Sequence, residues 1–278
     1  MATEIATRSG ILEANGAQIY HEIRGTGPSV VFVSGTSGDA GHFARVAELL
    51  ADEFTVVTYD RRGNSRSPRP VGWNQTSTDE QGDDLAALIQ ALGLAPAAVY
   101  GTSAGAIIAL NAVLRHERLL RGAILHEPPL MSVLAHPDEA MGIIQPIVED
   151  GMQKGGPRGA IEAFLGFAAG DALQALDSDT VGRMLDNGGT VFGLEFGKFE
   201  SWRPSEEQLA RVSIPVQVMC GNQSAPFFAE ASTWLAKRLG TDLIQAPGTH
   251  VPNFDRPGEL VDAIRPFLHR ISGSRPKE

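Results

Sequence analysis

The stretch VYGTSAGAIIAL, residues 99–110, limits most tightly what this chain can fold into. An apolar strand-like run meets an apolar helix-like run at the segment GTSAG, residues 101–105. A strand that turns abruptly into a helix leaves no room for side chains two positions either side of the central serine, which accounts for the two glycines. The pattern therefore predicts a strand, a sharp turn that presents Ser103 above a sheet edge, and a helix.

Ser103 is the first candidate functional residue. The helix that follows it would aim its amino-terminal dipole and free N–H groups at the serine, and this favours an oxyanion nearby. The alternative is a glycine-rich turn that carries an ordinary serine. Because the strand and the helix that the motif requires are both predicted, we interpret Ser103 as a nucleophile.

Strand-like and helix-like segments alternate along most of the chain. The segment ILEANGAQIYHEIRG carries Asn15-Gly16 between two alternating stretches, which is typical of a two-residue hairpin turn. The later strands are apolar on both faces and are separated by helix-period segments, so they predict a parallel sheet covered by helices. These strands read SVVFVSG, FTVVTYD, AAVYG, GAILHE, IPVQVMCG and DLIQAPG.

The alternation stops between about Met131 and Ser205, where the pattern indicates short helical pieces. An insertion of this length after a sheet strand is typical of a lid or cap. We therefore expect an α/β core over residues 1–130 and 206–278 and a helical cap over residues 131–205. The polar tail, residues 272–278, is expected to be loose.

Composition excludes several function classes. The formal net charge of −10 argues against binding to nucleic acid or to an anionic membrane, and a hydrophobic small molecule is the expected partner. A single cysteine, Cys220, rules out an internal disulfide. The start MATEIATRSG lacks the features of a secretion signal, and no apolar run is long enough to span a membrane, so we expect a cytoplasmic protein.

Of the seven histidines, His250 has the most informative position. It follows the strand DLIQAPG in a loop of small residues, where the sheet edge could hold it over Ser103 as the general base. The other histidines lie in predicted strand, helix or cap positions without a motif, and we expect them to be packed or solvated. They are His21, His42, His116, His126, His136 and His269.

Four segments in this order resemble the α/β-hydrolase superfamily over nearly the whole chain outside the cap. They are VVFVSGTSGD at 30–39, YDRRGNSRSP at 59–68, the serine turn at 101–105 and PGTHVPNFDRP at 247–257. The resemblance implies a mostly parallel eight-stranded sheet flanked by helices, with a helical cap. It also implies an oxyanion hole made by the main-chain N–H groups of Thr36 and Ala104, although the usual His-Gly opening is here Ser34-Gly35.

The acid that would orient His250 departs from the commonest pattern of this family. Most members carry it after the strand that reads IPVQVMCG here, but residues 222–226 contain no carboxylate. Glu127 ends the strand after that of Ser103 and is followed by Pro128-Pro129. This arrangement resembles the branch that contains the zearalenone-type lactonases, and the resemblance implies a triad of Ser103, His250 and Glu127.

One non-catalytic interpretation of Glu127 and two rival carboxylates stay open. Glu127 itself could be a strand-end carboxylate satisfied by backbone N–H groups. Asp60 is a second carboxylate, for which we expect a structural bridge to a nearby arginine. Asp255 is a third, and we expect it to cap the last helix.

The expected chemistry is hydrolysis of an ester or lactone through a covalent acyl-enzyme, without a metal or organic cofactor. Thioester hydrolysis and C–C bond hydrolysis would use the same triad. The fold also hosts ligand-binding proteins and cofactor-free oxygenases, which are alternatives from other classes.

The apolar residues of the cap and of one loop are candidates to line a substrate pocket. A homodimer formed through the cap is compatible with the sequence. The candidate pocket residues are Met131, Phe164, Phe192, Phe199, Trp202 and Phe227.

Overall fold

Eight strands form one sheet in the computed structural model, which describes residues 6–273. The strand order is β1-β2-β4-β3-β5-β6-β7-β8. Pairing is antiparallel for β1–β2 and β2–β4 and parallel for all other neighbours. The strands are β1 (Arg8–Ala14), β2 (Ala17–Arg24), β3 (Ser29–Val33), β4 (Thr55–Tyr59), β5 (Ala97–Thr102), β6 (Leu120–His126), β7 (Val216–Gly221) and β8 (Leu243–Ala246). The predicted fold class is confirmed.

The predicted hairpin joins β1 to β2. Both central residues of its turn have positive φ, 48° at Asn15 and 72° at Gly16. This is the turn geometry that an Asn-Gly pair favours between antiparallel strands.

Helices connect the parallel strands and cover the sheet. They are α1 (Ala44–Leu50), α2 (Thr78–Ala91), α3 (Ala104–His116), α4 (Pro137–Ala169), α5 (Ser178–Asp186), α6 (Gly188–Thr190), α7 (Phe196–Ser201), α8 (Glu206–Ala210), α9 (Pro226–Leu239), α10 (Pro252–Asp255) and α11 (Pro257–Ser272). A π-helical turn, Val191–Glu195, precedes α7, and short 3₁₀ turns cover Ala40–Phe43, Glu117–Leu119, Met131–Val133 and Gly170–Ala175. Of the helices within residues 6–273, none has the length and apolar character needed to cross a bilayer.

Successive strand residues point to opposite faces of the sheet, and both faces are buried. Val31 and Val33 belong to the core that α2, α3 and α9 cover. Val30 and Phe32 belong to the core that α1 and α11 cover on the opposite face. Each such side chain contributes ~1.5–3 kcal/mol by burial, so the two cores hold the strand ends firmly in place.

The segment between β6 and β7 is helical and lies over the carboxyl ends of the parallel strands. Its longest helix, α4, is interrupted at Gly155-Gly156, where the backbone leaves helical geometry. Polar contacts join the segment to the sheet domain: Arg183 Nε donates to Asp39 Oδ2 at 2.8 Å, and Asn187 Nδ2 donates to the main-chain oxygen of Ser37 at 2.5 Å. The predicted loose tail lies largely outside the described residues.

Candidate active site

Ser103 lies at the sharp turn between β5 and α3. Its φ of 54° and ψ of −129° are unusual for a residue other than glycine. A Cβ atom at Gly101 would lie 2.3 Å from the main-chain oxygen of Gly105, and one at Gly105 would lie 2.2 Å from that of Val33. The two glycines of the motif are therefore required by close backbone contacts, as the sequence predicted.

Glu127 follows β6, the strand next to that of Ser103. The side chain is fully buried, and the residue has a positive φ of 49°. Oε1 accepts hydrogen bonds from the main-chain N–H of Gly221 at 2.6 Å and from the Cys220 thiol at 3.3 Å. Oε2 lies 2.5 Å from His250 Nδ1. The carboxylate is thus fixed from β7 on one side and turned towards His250 on the other.

The electrostatics of this pair favour an ionised carboxylate. Burial raises the pKa of Glu127, but the hydrogen bond from His250 and the charge of its ring outweigh burial and lower the pKa to about 2. An ionised Glu127 requires a proton on His250 Nδ1 as donor, so in the neutral imidazole Nε2 is left as a proton acceptor.

His250 lies in the turn after β8 and is 8% exposed. The Phe228 ring stacks on its imidazole, with the ring centroids 4.0 Å apart and the planes inclined by 16°. His250 lines the same cavity as Ser103. The stacking and the Glu127 contact together restrict the orientation of the imidazole.

Two main-chain N–H groups are available beside Ser103. Thr36 and Ala104 both line the cavity, and neither amide N–H donates a hydrogen bond to another described residue. A Cβ atom at Gly35 would lie 2.9 Å from Ser103 Cβ, so the loop after β3 passes directly against the serine. This arrangement offers two donors to an oxygen atom that approaches Ser103.

A buried ion pair supports this loop from the helical segment. Arg61 Nη1 and Nη2 donate to the two carboxylate oxygens of Glu195 at 2.7 and 2.9 Å. Arg61 Nη2 also donates to the main-chain oxygen of Gly35 at 3.2 Å. Glu195 accepts two further hydrogen bonds, from Asn64 and Gln81, each at 3.0 Å. The position of the loop is thus tied to the π-helical turn that carries Glu195.

The cavity above Ser103 has a volume of about 330 Å³ and a largely apolar wall. Four of the six predicted pocket residues line it: Met131, Phe164, Phe199 and Phe227. The structure does not bring Phe192 and Trp202 to the wall. Phe192 packs against the Phe164 and Phe196 rings, and Trp202 packs against the core that α2, α3 and α9 cover.

Sequence reasoning missed most of the residues on the wall of the cavity, among them four that are large or polar. They are Ile144, Glu195, Glu200 and Gln223. The two glutamates belong to the segment GLEFGKFES, where each is next to a phenylalanine. Charged residues inside an apolar cap segment are the sequence signal for the two glutamates, although this signal does not show which of them is paired.

The rival carboxylates lie in other surroundings. Asp60 accepts hydrogen bonds from the Arg66 guanidinium at 2.7 and 2.9 Å, in line with the expected arginine bridge. The expectation for Asp255 is wrong, because α11 begins after Arg256 and has no side-chain cap. Asp255 belongs to the separate short helix α10 and is exposed.

Two other histidines are buried close to the site. His126 Nδ1 lies 3.0 Å from the Tyr100 hydroxyl, and His42 Nε2 lies 3.0 Å from Ser37 Oγ. Burial lowers the pKa of each imidazole to about 4. Within residues 6–273, no group of three or more His, Cys, Asp or Glu side chains is placed to hold a metal ion.

Comparison with known proteins agrees with the fold. Residues 28–257 match the family model described as alpha/beta hydrolase fold. The uncharacterized hydrolase YraK of Bacillus subtilis (strain 168) is 32% identical over 247 residues, which cover 87% of this chain and 89% of that protein. A zearalenone hydrolase of Bionectria ochroleuca is 33% identical over 126 residues, 44% of this chain and 48% of that protein.

Solved structures show the same fold. A thermophilic esterase from Thermogutta terrifontis is similar with a TM-score of 0.76 at 21% identity, covering 95% of this chain and 99% of that chain. The enol-lactonase from Burkholderia xenovorans LB400 is similar with a TM-score of 0.73 at 17% identity, covering 93% and 99%. Each similarity covers at least 93% of this chain and shows the fold.

Proposed function

Because this chain belongs to the α/β-hydrolase fold family and is a hydrolase of that fold, we propose that it cleaves a carboxylic ester or lactone of a hydrophobic small molecule through a serine acyl-enzyme. The observation that carries the proposal is the 2.5 Å contact between Glu127 Oε2 and His250 Nδ1. This contact lies beside a cavity that both His250 and Ser103 line. We further propose that residues 131–205 act as a cap that covers this cavity.

In this mechanism Ser103 Oγ attacks the substrate carbonyl carbon and His250 Nε2 accepts the serine proton. Glu127 keeps the proton on Nδ1 and stabilises the imidazolium that forms. His250 then gives the proton to the departing alkoxide, which leaves an acyl group on Ser103. A water molecule, deprotonated by His250, attacks the acyl carbon and releases the acid.

The negative charge that develops on the carbonyl oxygen needs donors already in place. The main-chain N–H groups of Thr36 and Ala104 supply them, and loss of one such donor typically costs ~3 kcal/mol of transition-state stabilisation. The apolar wall around the reacting centre excludes water and strengthens these interactions. The predominance of apolar side chains on the wall favours a neutral, hydrophobic acyl or alcohol group.

The test is hydrolysis of p-nitrophenyl esters, simple lactones and zearalenone by the wild type, Ser103→Ala and Ser178→Ala. Ser178 is exposed on α5, so its replacement is the matched control. We expect Ser178→Ala to keep wild-type rates and Ser103→Ala to lose about 10⁶-fold in kcat. Mass spectrometry after reaction with a fluorophosphonate should find the adduct on Ser103.

Other outcomes would point to the rival classes. Retained activity in Ser103→Ala together with consumption of dioxygen would indicate an oxygenase and exclude the acyl-enzyme. Stoichiometric ligand binding without repeated turnover in the wild type would indicate a binding protein.

A further inference from the structure

Glu200 is a carboxylate on the cavity wall that the proposed chemistry does not use. It lies on α7 and lines the cavity together with Ser103 and His250. The side chain is half-buried, and its carboxylate has no hydrogen bond or ion pair with any residue in the described range 6–273. A carboxylate held in an apolar wall without a partner has hydrogen-bonding capacity left for a ligand.

The neighbouring carboxylate on the wall is in a different state. Glu195 is paired with the Arg61 guanidinium and also accepts from Asn64 and Gln81, so its charge is already matched by a cation. Among the described residues that line the cavity there is no lysine or arginine. The free charge-bearing acceptor of the cavity is therefore Glu200, and the wall offers no cation to a negatively charged substrate.

The cavity wall that carries Glu200 is largely apolar. Phe199 and Phe196 precede Glu200 on α7, and Phe227 and Phe228 also line the cavity. Burial raises the pKa of Glu200 to about 7. A ligand group that donates a hydrogen bond or carries a positive charge would stabilise the ionised form and offset the cost of burial.

We propose that Glu200 selects substrates that carry a hydrogen-bond donor, a hydroxyl or an ammonium group, away from the scissile carbonyl. This inference rests on the proposed function, because it assigns the substrate class of the same cavity. The aromatic side chains on the same cavity wall would contact the apolar body of the substrate, and the Glu200 carboxylate would accept a hydrogen bond from the distal polar group. Substrates with a distal carboxylate would be disfavoured by like-charge repulsion.

The test compares matched p-nitrophenyl esters of increasing chain length. Each phenylalkanoate is paired with its hydroxyphenyl and its aminomethylphenyl analogue, and kcat/KM is measured for all three. At the length that spans the cavity, we expect the wild type to prefer a donor-bearing ester by about tenfold or more, the range for a hydrogen bond to a charged group.

Two variants separate the two donor types. Glu200→Gln keeps an acceptor oxygen without the charge, so it should lose the preference for the ammonium ester and keep part of that for the hydroxyl ester. Glu200→Met should lose both preferences. Glu139 is an exposed carboxylate on α4, and Glu139→Gln is the control variant, which should keep both preferences.

The proposal is overturned if the wild type prefers no donor-bearing ester at any length, or if Glu200→Met keeps the preference. Binding measurements keep this result separate from the proposed function. Calorimetry with the matching unreactive amides gives the same preference as a ratio of Kd values, whether or not Ser103 is the nucleophile. Equal Kd ratios in the wild type and Glu200→Met overturn the role of Glu200 alone, whereas turnover by Ser103→Ala overturns the hydrolase mechanism alone.

Discussion

His250 Nδ1 lies 2.5 Å from Glu127 Oε2 although 123 positions separate the two residues in the chain. Glu127 follows β6 and His250 follows β8, with β7 between these strands in the sheet. The contact therefore spans two strand positions across the sheet edge, and the main-chain N–H of Gly221 at the end of β7 holds the other carboxylate oxygen. Three strand ends thus fix the geometry of one hydrogen bond.

Glu127→Gln should lower kcat/KM by about 10³ to 10⁴, because a neutral amide neither holds the proton on His250 Nδ1 nor stabilises the imidazolium. Ester hydrolysis by the purified variant measures the effect, with circular dichroism to verify folding. Asp255→Asn is the matched control, since this rival carboxylate is exposed on α10, and it should keep wild-type rates. Wild-type rates in Glu127→Gln together with an inactive Asp255→Asn would transfer the role of the acid to Asp255.

Gly105→Ala should destabilise the protein by about 1–3 kcal/mol or more, since the added Cβ would lie 2.2 Å from the main-chain oxygen of Val33. Urea unfolding gives the free energy. Gly142→Ala is a matched control on α4, where an added Cβ meets no atom within 4 Å. There the exchange should be neutral or stabilise the helix by up to about 1 kcal/mol. Equal effects at both positions would show that Val33 moves aside at no cost.

The candidate site residues that the sequence predicts are those set by local chain geometry. Ser103 is predicted because a strand–turn–helix reversal requires Gly101 and Gly105, and Glu127 because it ends an apolar strand before two prolines. The carboxyl ends of parallel strands share one edge of the sheet, which makes both residues candidates, but the triad of Ser103, His250 and Glu127 is implied by the resemblance to the zearalenone-type lactonases.

The pocket could not be predicted in the same way, because its composition depends on tertiary contacts within the cap. Glu195 and Glu200 occupy the same short segment with similar neighbours, yet one pairs with Arg61 and the other faces the cavity unpaired. Phe192 and Phe164 are likewise indistinguishable by residue type, but only Phe164 reaches the cavity wall. The amphipathic periodicity of a helix separates buried from exposed side chains. It does not separate side chains of the cap core from side chains that line the pocket.

The Arg61–Glu195 pair should be coupled strongly, since both side chains are almost fully buried. Arg61→Met or Glu195→Gln alone should cost about 3–5 kcal/mol, because each leaves a buried polar or charged partner unpaired, and the double variant should cost less than the sum. Urea unfolding of the four proteins gives the coupling energy. We also expect kcat to fall in Arg61→Met, since Arg61 donates to the Gly35 oxygen beside Thr36.

The exposed pair Arg211–Glu207 on the protein surface is the control for this cycle. Its coupling energy should stay below about 1 kcal/mol, because water screens exposed charges. A coupling energy for Arg61 and Glu195 as small as that of the exposed pair would contradict the strong coupling expected from their burial.

His42 and His126 should make the protein less stable in mild acid. Burial lowers the pKa of each imidazole from 6.5 to about 4. Between these two pH values the unfolded chain binds more protons at these positions than the folded protein, so the free energy of unfolding falls as the pH falls from about 6.5 to about 4. Urea unfolding across this range measures the slope.

Replacement of each histidine by the amide that matches its hydrogen-bonding nitrogen should flatten the slope. The side-chain amide of Asn takes the position of imidazole Nδ1, the atom of His126 that lies beside the Tyr100 hydroxyl. The side-chain amide of Gln takes the position of Nε2, the atom of His42 that lies beside the Ser37 hydroxyl. Because neither amide titrates, His126→Asn and His42→Gln should each remove one proton from the difference between unfolded and folded states. His136→Gln, at an exposed position before α4, is the control and should leave the slope unchanged. A wild-type slope in both buried variants would mean that other groups cause the acid sensitivity.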